Sequence, residues 1–186
     1  QIKEFVKAKN AGWYESIKQR IYRKSKNIYS SKEKNKIIVF GEEDEMLQYK
    51  LANCCSPIDG DSIFGFTTVE DGIKIHKEDC PNSIQLRSKY AYRILKAKWV
   101  NKEQIDFIAS LNVKGIDRLG LINSVTKIIS SQMNVNMRAI NINSKDGVFE
   151  GEITLFVRNV SVLNSLTEKL QNVDGVTKIN RTYKHL

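Results

Sequence analysis

Residues 149–157, Phe-Glu-Gly-Glu-Ile-Thr-Leu-Phe-Val, carry the clearest secondary-structure pattern in the chain. Every second residue from Phe149 to Val157 is apolar or glycine, and the residues between them are mostly polar. Successive side chains of a β-strand point to opposite faces of the sheet, so this alternation predicts a strand with one buried face. The turn sequence at 144–147, Ser-Lys-Asp-Gly, predicts a hairpin to the strand before it.

The segments on both sides of this strand complete a recognised order of strands and helices. The predicted elements are strand 107–113, helix 118–131, strand 135–142, strand 149–157, helix 161–171 and strand 176–183. This β-α-β-β-α-β order is that of the ferredoxin-like fold. Two helices on one face of such a sheet would leave its other face, or its edge strands, open to a partner.

The first half of the chain predicts a smaller unit that is mostly β and rich in turns. Its predicted elements are strands 37–40, 46–52, 62–69, 73–76 and 91–99 and a helix over 80–88 that starts near Pro81. Two basic helices, 2–9 and 13–28, precede it, followed by a linker without apolar residues. We therefore expect an α+β protein with a helical segment at 1–36, a β-rich unit at 37–100 and the ferredoxin-like unit at 101–186.

Composition and charge limit the class of protein. The chain has 186 residues, 41% of them hydrophobic, which is too apolar for a disordered protein. No apolar stretch approaches the ~20 residues of a membrane helix. The start of the chain, Gln-Ile-Lys-Glu, predicts a fragment of a longer, non-secreted protein. Three cysteines fit a reducing compartment, so the expected location is the cytoplasm.

The net charge of +9 is concentrated at the start of the chain. Residues 1–36 hold eleven Lys and Arg against three acids, a net charge of +8. A basic helical segment favours an anionic partner, most commonly a nucleic acid, but a solvated helix surface is an equal alternative.

Cys54, Cys55, His76 and Cys80 include all three cysteines and one of the two histidines of the chain. Three thiols and one imidazole make a complete tetrahedral ligand set for a structural Zn²⁺ ion. The adjacent pair Cys54–Cys55 can reach one ion only if the backbone bends there, and the following Ser-Pro favours such a bend. The alternatives are a metal-free cluster of buried thiols and a catalytic pair of Cys55 with His76.

The loop Gly-Ile-Asp-Arg-Leu-Gly at 115–120 lies between the first strand and helix of the ferredoxin-like unit. We expect Asp117 to cap the helix, and Gly115 and Gly120 to let a ligand or a second subunit approach the backbone. The amide groups at a helix start could then hold the α-carboxylate of an amino acid. The alternative is an ordinary strand-to-helix turn with an exposed Arg118.

Three segments resemble proteins of the RelA/SpoT family. Residues 51–66 (LANCCSPIDGDSIFGF) are similar to the conserved-cysteine segment of that family, and residues 72–82 (GIKIHKEDCPN) to its His-x-x-x-Cys end. Residues 117–121 (DRLGL) resemble the signature loop of an ACT domain. The resemblance implies a zinc-finger-like role for the four Cys and His residues, and an ACT ligand or dimer loop at Asp117 and Arg118.

The resemblance also implies a function. This chain would be the non-catalytic regulatory part of a (p)ppGpp synthetase or hydrolase, with GTP diphosphokinase activity, nucleotides and catalytic metal confined to upstream domains. It would bind ribosomal RNA and uncharged tRNA and relay amino-acid starvation to the enzyme in the stringent response. The alternative is an amino-acid-sensing module that forms a homodimer through its ACT domain and binds a branched-chain amino acid.

One departure from the family affects the RNA contacts. Many relatives have a Gly-Arg-Gly loop before the histidine, whereas residues 67–72 read Thr-Thr-Val-Glu-Asp-Gly, without arginine. We therefore expect the RNA-facing charge to come from Lys74, Lys77, Arg87, Lys89 and Arg93.

Overall fold

A computed structural model describes residues 38–40, 45–46, 49–69, 71–100 and 105–183. The predicted basic segment at 1–36 lies outside the described residues. The chain divides into two compact units, one drawn from Gln1–Ala52 and Ser62–Lys102, the other from Asn53–Asp61 and Glu103–Leu186. None of the described helices combines the length and hydropathy needed to cross a lipid bilayer.

The first unit contains a six-stranded sheet. Its strands are β1 (Ile38–Phe40), β2 (Glu45–Met46), β3 (Tyr49–Leu51), β4 (Ile63–Thr67), β5 (Ile73–Lys77) and β6 (Ile94–Trp99). They lie in the order β2-β1-β6-β4-β5-β3. All neighbours are antiparallel except β3 and β5.

Strands β4 and β5 form an antiparallel hairpin, from Ile63 opposite Lys77 to Thr67 opposite Ile73. Ile63, Ile73 and Ile75 are buried there and pack against partly buried residues of β3 and β6. The hairpin turns through Gly72, whose φ of +78° is in the left-handed region that glycine adopts without strain. A helix, α1 (Ser83–Tyr90), follows, with a short 3₁₀ turn at Ala91–Arg93.

Helix α1 begins later than predicted. Cys80 N donates to Lys77 O at 3.2 Å and Ser83 N to Cys80 O at 2.8 Å, so the chain turns over these residues before the helix starts. The side chain of Asn82, the residue before the helix, makes no capping hydrogen bond. Pro81 therefore lies in this turn and not in the first helical turn.

The second unit has the predicted ferredoxin-like order. Its elements are β7 (Phe107–Ile116), α2 (Leu121–Thr126), a π-helical turn (Lys127–Gln132), β8 (Asn136–Lys145), β9 (Val148–Val157), α3 (Val160–Gln171) and β10 (Val176–Thr182). The antiparallel sheet has the order β10-β7-β9-β8. The predicted helix at 118–131 is thus shorter at its start and changes to π-helical geometry over its second half.

The alternating pattern of β9 is confirmed. Residues at every second position from Phe149 to Val157 are buried, while Glu150 and Glu152 are exposed. The buried face packs against the helices through residues that are likewise removed from solvent: Val125, Ile129, Leu163, Leu166 and Leu170. Burial of each such side chain stabilises the fold by about 1.5–3 kcal/mol. Asn159 begins α3, because its side-chain oxygen accepts from Val162 N at 2.9 Å.

Candidate functional site

The predicted zinc ligands lie together. One ligand atom from each of Cys54, Cys55, His76 and Cys80 lies within 4.8 Å of the others. The Sγ atom of Cys80 is 3.8 Å from Nδ1 of His76. Zn–S bonds of about 2.3 Å in a tetrahedral site place neighbouring donor atoms roughly 3.8 Å apart. The four residues therefore fit a Zn²⁺ ion in both donor chemistry and spacing.

A bend in the backbone brings the adjacent cysteines to the same point. Ser56, which follows them, has a φ of +39°, and its hydroxyl donates to Asn53 O at 3.3 Å. A positive φ is uncommon for a non-glycine residue, and this backbone conformation persists only where surrounding contacts hold it. This turn overrides the strand geometry that would point the two thiols to opposite faces.

His76 has the surroundings of a neutral metal ligand. Its ring stacks on Phe64, with centroids 5.5 Å apart and planes 19° apart, and meets the edge of Phe66. Burial, and secondarily the charge of Lys74, lowers the pKa of His76 below its usual 6.5. Both effects disfavour the imidazolium, so the neutral ring that binds metal is the preferred form.

The catalytic alternative fits the geometry poorly. Cys55 is 0% exposed and Cys80 is 2% exposed. A nucleophilic thiolate needs substrate access and a positive neighbour that stabilises the anion, whereas His76 is held neutral. The arrangement therefore favours structural metal binding over thiol catalysis.

The loop that carries the cysteine pair is held by an ion pair within the second unit. Arg181 of β10 donates to both carboxylate oxygens of Asp61, at 2.9 and 3.0 Å, and to Ser56 O at 2.7 Å. Asp59 O accepts from Val160 N, at the start of α3, at 2.8 Å. Sequence reasoning missed Arg181, since 120 residues separate it from Asp61 and no local motif links the two.

The prediction that Asp117 caps helix α2 is wrong. The helix begins at Leu121 after Gly120, which has a φ of +84°, and no side chain caps it. Backbone groups of the loop already have backbone partners: Asp117 N donates to Gly147 O, in the turn between β8 and β9, at 2.9 Å, and Leu121 N donates to Arg118 O at 3.1 Å. Fewer amide groups are therefore available to an anion than the sequence suggested.

The two loop glycines have different roles. A Cβ atom on Gly115 would lie 1.9 Å from the carbonyl oxygen of Gly175, so this glycine makes room for the turn before β10 and not for a ligand. A Cβ atom on Gly120 would meet nothing within 4 Å, and only its positive φ requires glycine.

An open pocket of about 390 Å³ lies beside this loop and is lined by residues 117–123. Arg118 forms an ion pair with Asp174, so its charge is already partnered. Leu119 and Ile122 are exposed beside it, at 108% and 51%. The pocket thus offers apolar side chains and a guanidinium that would have to leave Asp174 to meet a carboxylate.

Three of the predicted RNA-contacting residues lie on α1 and the 3₁₀ turn that follows it. Lys89 is exposed on α1. Arg87 is exposed, pairs with Glu78 and places its guanidinium 4.8 Å from the ring centre of Phe64. Arg93 is partly buried, and its guanidinium lies over the rings of two neighbouring tyrosines.

Lys74 and Lys77 are more constrained. Lys74 pairs with Asp71 at 2.8 Å, and Asp71 also pairs with Lys50 at 3.2 Å. Hydrogen bonds from these lysines, Lys74 first, hold the pKa of the Asp71 carboxyl below its usual value. Lys77 is 7% exposed and pairs with Asp79 at 3.1 Å. The acidic hairpin turn that replaces the arginine loop therefore neutralises part of the nearby charge.

Comparisons with known proteins agree with the sequence resemblance. The chain matches the RelA/SpoT RIS domain family over residues 37–100 and the ACT domain family over residues 103–181. It is 32% identical over 146 residues to a GTP pyrophosphokinase of Streptomyces coelicolor, covering 78% of this chain and 17% of that protein. It is also 32% identical over 133 residues to the bifunctional (p)ppGpp synthase/hydrolase RelA of Mycobacterium tuberculosis, covering 71% of this chain and 18% of that protein.

A crystal structure of the ACT domain from a GTP pyrophosphokinase of Chlorobium tepidum is 38% identical, with a TM-score of 0.39, and covers 41% of this chain and 99% of that one. The chain spans under a fifth of the length of the two curated relatives above. The resemblance to the conserved-cysteine and ACT segments is confirmed: the chain belongs to the RelA/SpoT family and corresponds to its C-terminal regulatory region.

Proposed function

We propose that this chain is the non-catalytic part of a (p)ppGpp synthetase or hydrolase that binds the ribosome and uncharged tRNA in the stringent response. In the cytoplasm, this binding would control the activity of catalytic domains in the same protein. The observation that carries the proposal is the charge of residues 81–101, which contain five Lys and Arg and no acidic residue. Such a cationic surface fits the phosphate backbone of RNA.

We further propose that the chain has two domains, 37–100 and 101–186, preceded by the basic segment at 1–36. The first domain would carry the RNA contacts. Lys89 and Arg87 would make the main phosphate contacts, with Lys74 beside them after it separates from Asp71, and Arg93 would also contact the RNA. Lys77 is buried, so its replacement should weaken RNA binding less than replacement of Lys89.

We also propose that Cys54, Cys55, His76 and Cys80 hold a structural Zn²⁺ ion. Metal analysis should give about one Zn²⁺ per chain, and Co²⁺ substitution should produce tetrahedral absorption bands. Cys80→Ser should lose both signals, and a metal-free wild-type chain would contradict the assignment.

Co-sedimentation with ribosomes tests the proposed function. We expect binding that increases with uncharged tRNA and weakens by orders of magnitude between 50 and 200 mM salt, because several phosphate contacts release counterions. A His76→Ala variant should bind more weakly if the zinc site supports the RNA surface. Absence of ribosome binding at both salt concentrations, with and without tRNA, would refute the proposal.

The alternative function is amino-acid sensing by the ACT domain, and the pocket at residues 117–123 favours it. Gly115, which we predicted to admit a ligand, faces Gly175 instead, so Arg118 and the apolar residues beside Gly120 would have to supply the contacts. A thermal-shift screen with Val, Leu and Ile tests this function, since a ligand at 100 times its Kd adds about 2.7 kcal/mol. No shift at millimolar ligand would exclude it.

Homodimer formation through the ACT domain has its own structural support. Among the described strands, β8 pairs only with β9, so its other edge is open along ten residues. Ile140 on this strand is 40% exposed, although it lies opposite the fully buried Ile153 and shares its face. Sedimentation equilibrium should give a dimer mass that Ile140→Lys reduces to the monomer, and a wild-type monomer would exclude this dimer.

A further inference from the structure

We propose that Tyr90, Tyr92 and Arg93 form a stacking platform for unpaired RNA bases, so that the first unit prefers single-stranded RNA over duplex RNA. The inference rests on the proposed RNA-binding function and adds the class of RNA that the surface would take. None of the residues selected from the sequence for RNA binding was aromatic.

The two tyrosine rings and the guanidinium form one cluster of planar groups. Tyr90 ends α1, and Tyr92 and Arg93 follow in the 3₁₀ turn. The Cζ atom of Arg93 lies 5.3 Å from the ring centre of Tyr90 and 5.6 Å from that of Tyr92. The tyrosines are nevertheless 38% and 43% exposed. Aromatic rings and arginine planes of this kind are the groups on which RNA bases stack.

Buried residues of β4 hold the platform in place. The ring of Phe66, a buried residue of β4, meets the Tyr90 ring at a centroid distance of 6.3 Å in an edge arrangement. Thr67, also buried on β4, donates from its hydroxyl to Arg93 O at 3.2 Å. These contacts limit the movement of the exposed groups, so less conformational entropy would be lost on binding a base.

Cations lie on the same face of the sheet as the platform. Lys96 and Lys98 are exposed on β6, two residues apart, and therefore share a face. Lys96 lies directly opposite Phe64 of β4, and directly opposite residues of paired strands share a face. The guanidinium of Arg87 lies over that same Phe64 ring. The cations could follow a phosphate backbone while its bases reach the tyrosines.

Base accessibility decides which RNA fits. In a duplex the bases are already stacked and paired, so a duplex can offer this surface only its phosphates and sugars. A single strand offers both phosphates and the faces of its bases. The combination of cations and exposed planar groups therefore favours loops, bulges or single strands.

Fluorescence anisotropy with two RNA probes of equal length tests the inference. One probe is an unstructured 12-mer and the other a 12-base-pair duplex, each titrated with the complete chain at 50 and 200 mM salt. We expect the single strand to bind at least tenfold more tightly. Tyr92→Ala should weaken single-strand binding roughly 5- to 150-fold, the range measured for loss of one base stack. Duplex binding should change less than about twofold, because phosphate contacts remain.

Matched variants separate stacking from general damage. Tyr92→Phe keeps the ring and should retain single-strand affinity. Lys89→Ala should weaken the binding of both probes and reduce the slope of log affinity against log salt concentration by about one. Tyr92→Ala should leave that slope unchanged. Equal affinity for both probes, or an equal loss of affinity for both in Tyr92→Ala, would contradict the stacking platform. Neither result would contradict the proposed RNA-binding function. Binding of neither probe by the wild-type chain at 50 mM salt, together with binding to anionic lipid vesicles, would overturn the proposed function as well.

Discussion

Replacement of Arg181 by methionine should destabilise the second unit strongly. Arg181 makes three hydrogen bonds, two to Asp61 and one to Ser56 O, all of 3.0 Å or less. The side chains of Arg181 and Asp61 are only 13% and 5% exposed, so water screens the pair weakly. Removal of one partner from a buried ion pair costs about 3–5 kcal/mol, because the other charge remains buried. We therefore expect Arg181→Met to lower the free energy of unfolding by that amount.

Urea unfolding followed by circular dichroism measures this effect. Arg158→Met is the matched control, because Arg158 is exposed and its replacement should change stability by no more than about 0.5 kcal/mol. The double variant Asp61→Asn/Arg181→Met should be more stable than Arg181→Met alone, since it removes the remaining buried charge and keeps an acceptor for Ile58 N. A cost below about 1 kcal/mol for Arg181→Met would show that the pair does not hold the cysteine loop.

Three further predictions concern single residues. Gly115→Ala should cost at least about 1–3 kcal/mol in urea unfolding, since its Cβ atom would overlap the backbone of Gly175, and a neutral substitution would contradict this close approach. Asp117→Ala should change stability by less than about 0.5 kcal/mol, because no side chain caps α2, whereas a loss near 1 kcal/mol would indicate a cap by Asp117. Burial lowers the pKa of His76 in the folded state, so metal-free protein should lose stability as the pH falls below the unfolded value of about 6.5. A His76→Gln variant should lack this part of the pH dependence, and an unchanged profile would refute it.

Local patterns in the sequence predicted most of the second unit. The alternation in β9 and the helical spacing of apolar residues depend on neighbours along the chain, and both elements formed where expected. The scarcity of cysteine and histidine likewise identified the four clustered residues. In each case the information lies within one element or in a rare residue type.

The features that the sequence did not reveal depend on distant contacts or on competition between local structures. Arg181 meets Asp61 only because β10 lies beside the loop that carries Asp61. Asp117 has a residue type that favours helix caps, but the backbone takes a left-handed turn at Gly120, and the helix starts at Leu121, three residues later than predicted. The platform at Tyr92 was missed because its partner groups come together only after α1 and the following turn have formed.

Photochemical cross-linking of the chain to ribosomes, followed by mapping of the modified peptides, tests the proposed RNA-binding function most directly. We expect nucleotides attached to peptides from residues 83–99, at a level that rises when uncharged tRNA is present and falls in Tyr92→Ala. Cross-links confined to peptides from residues 115–123, or none above those of a control protein of equal charge, would contradict it.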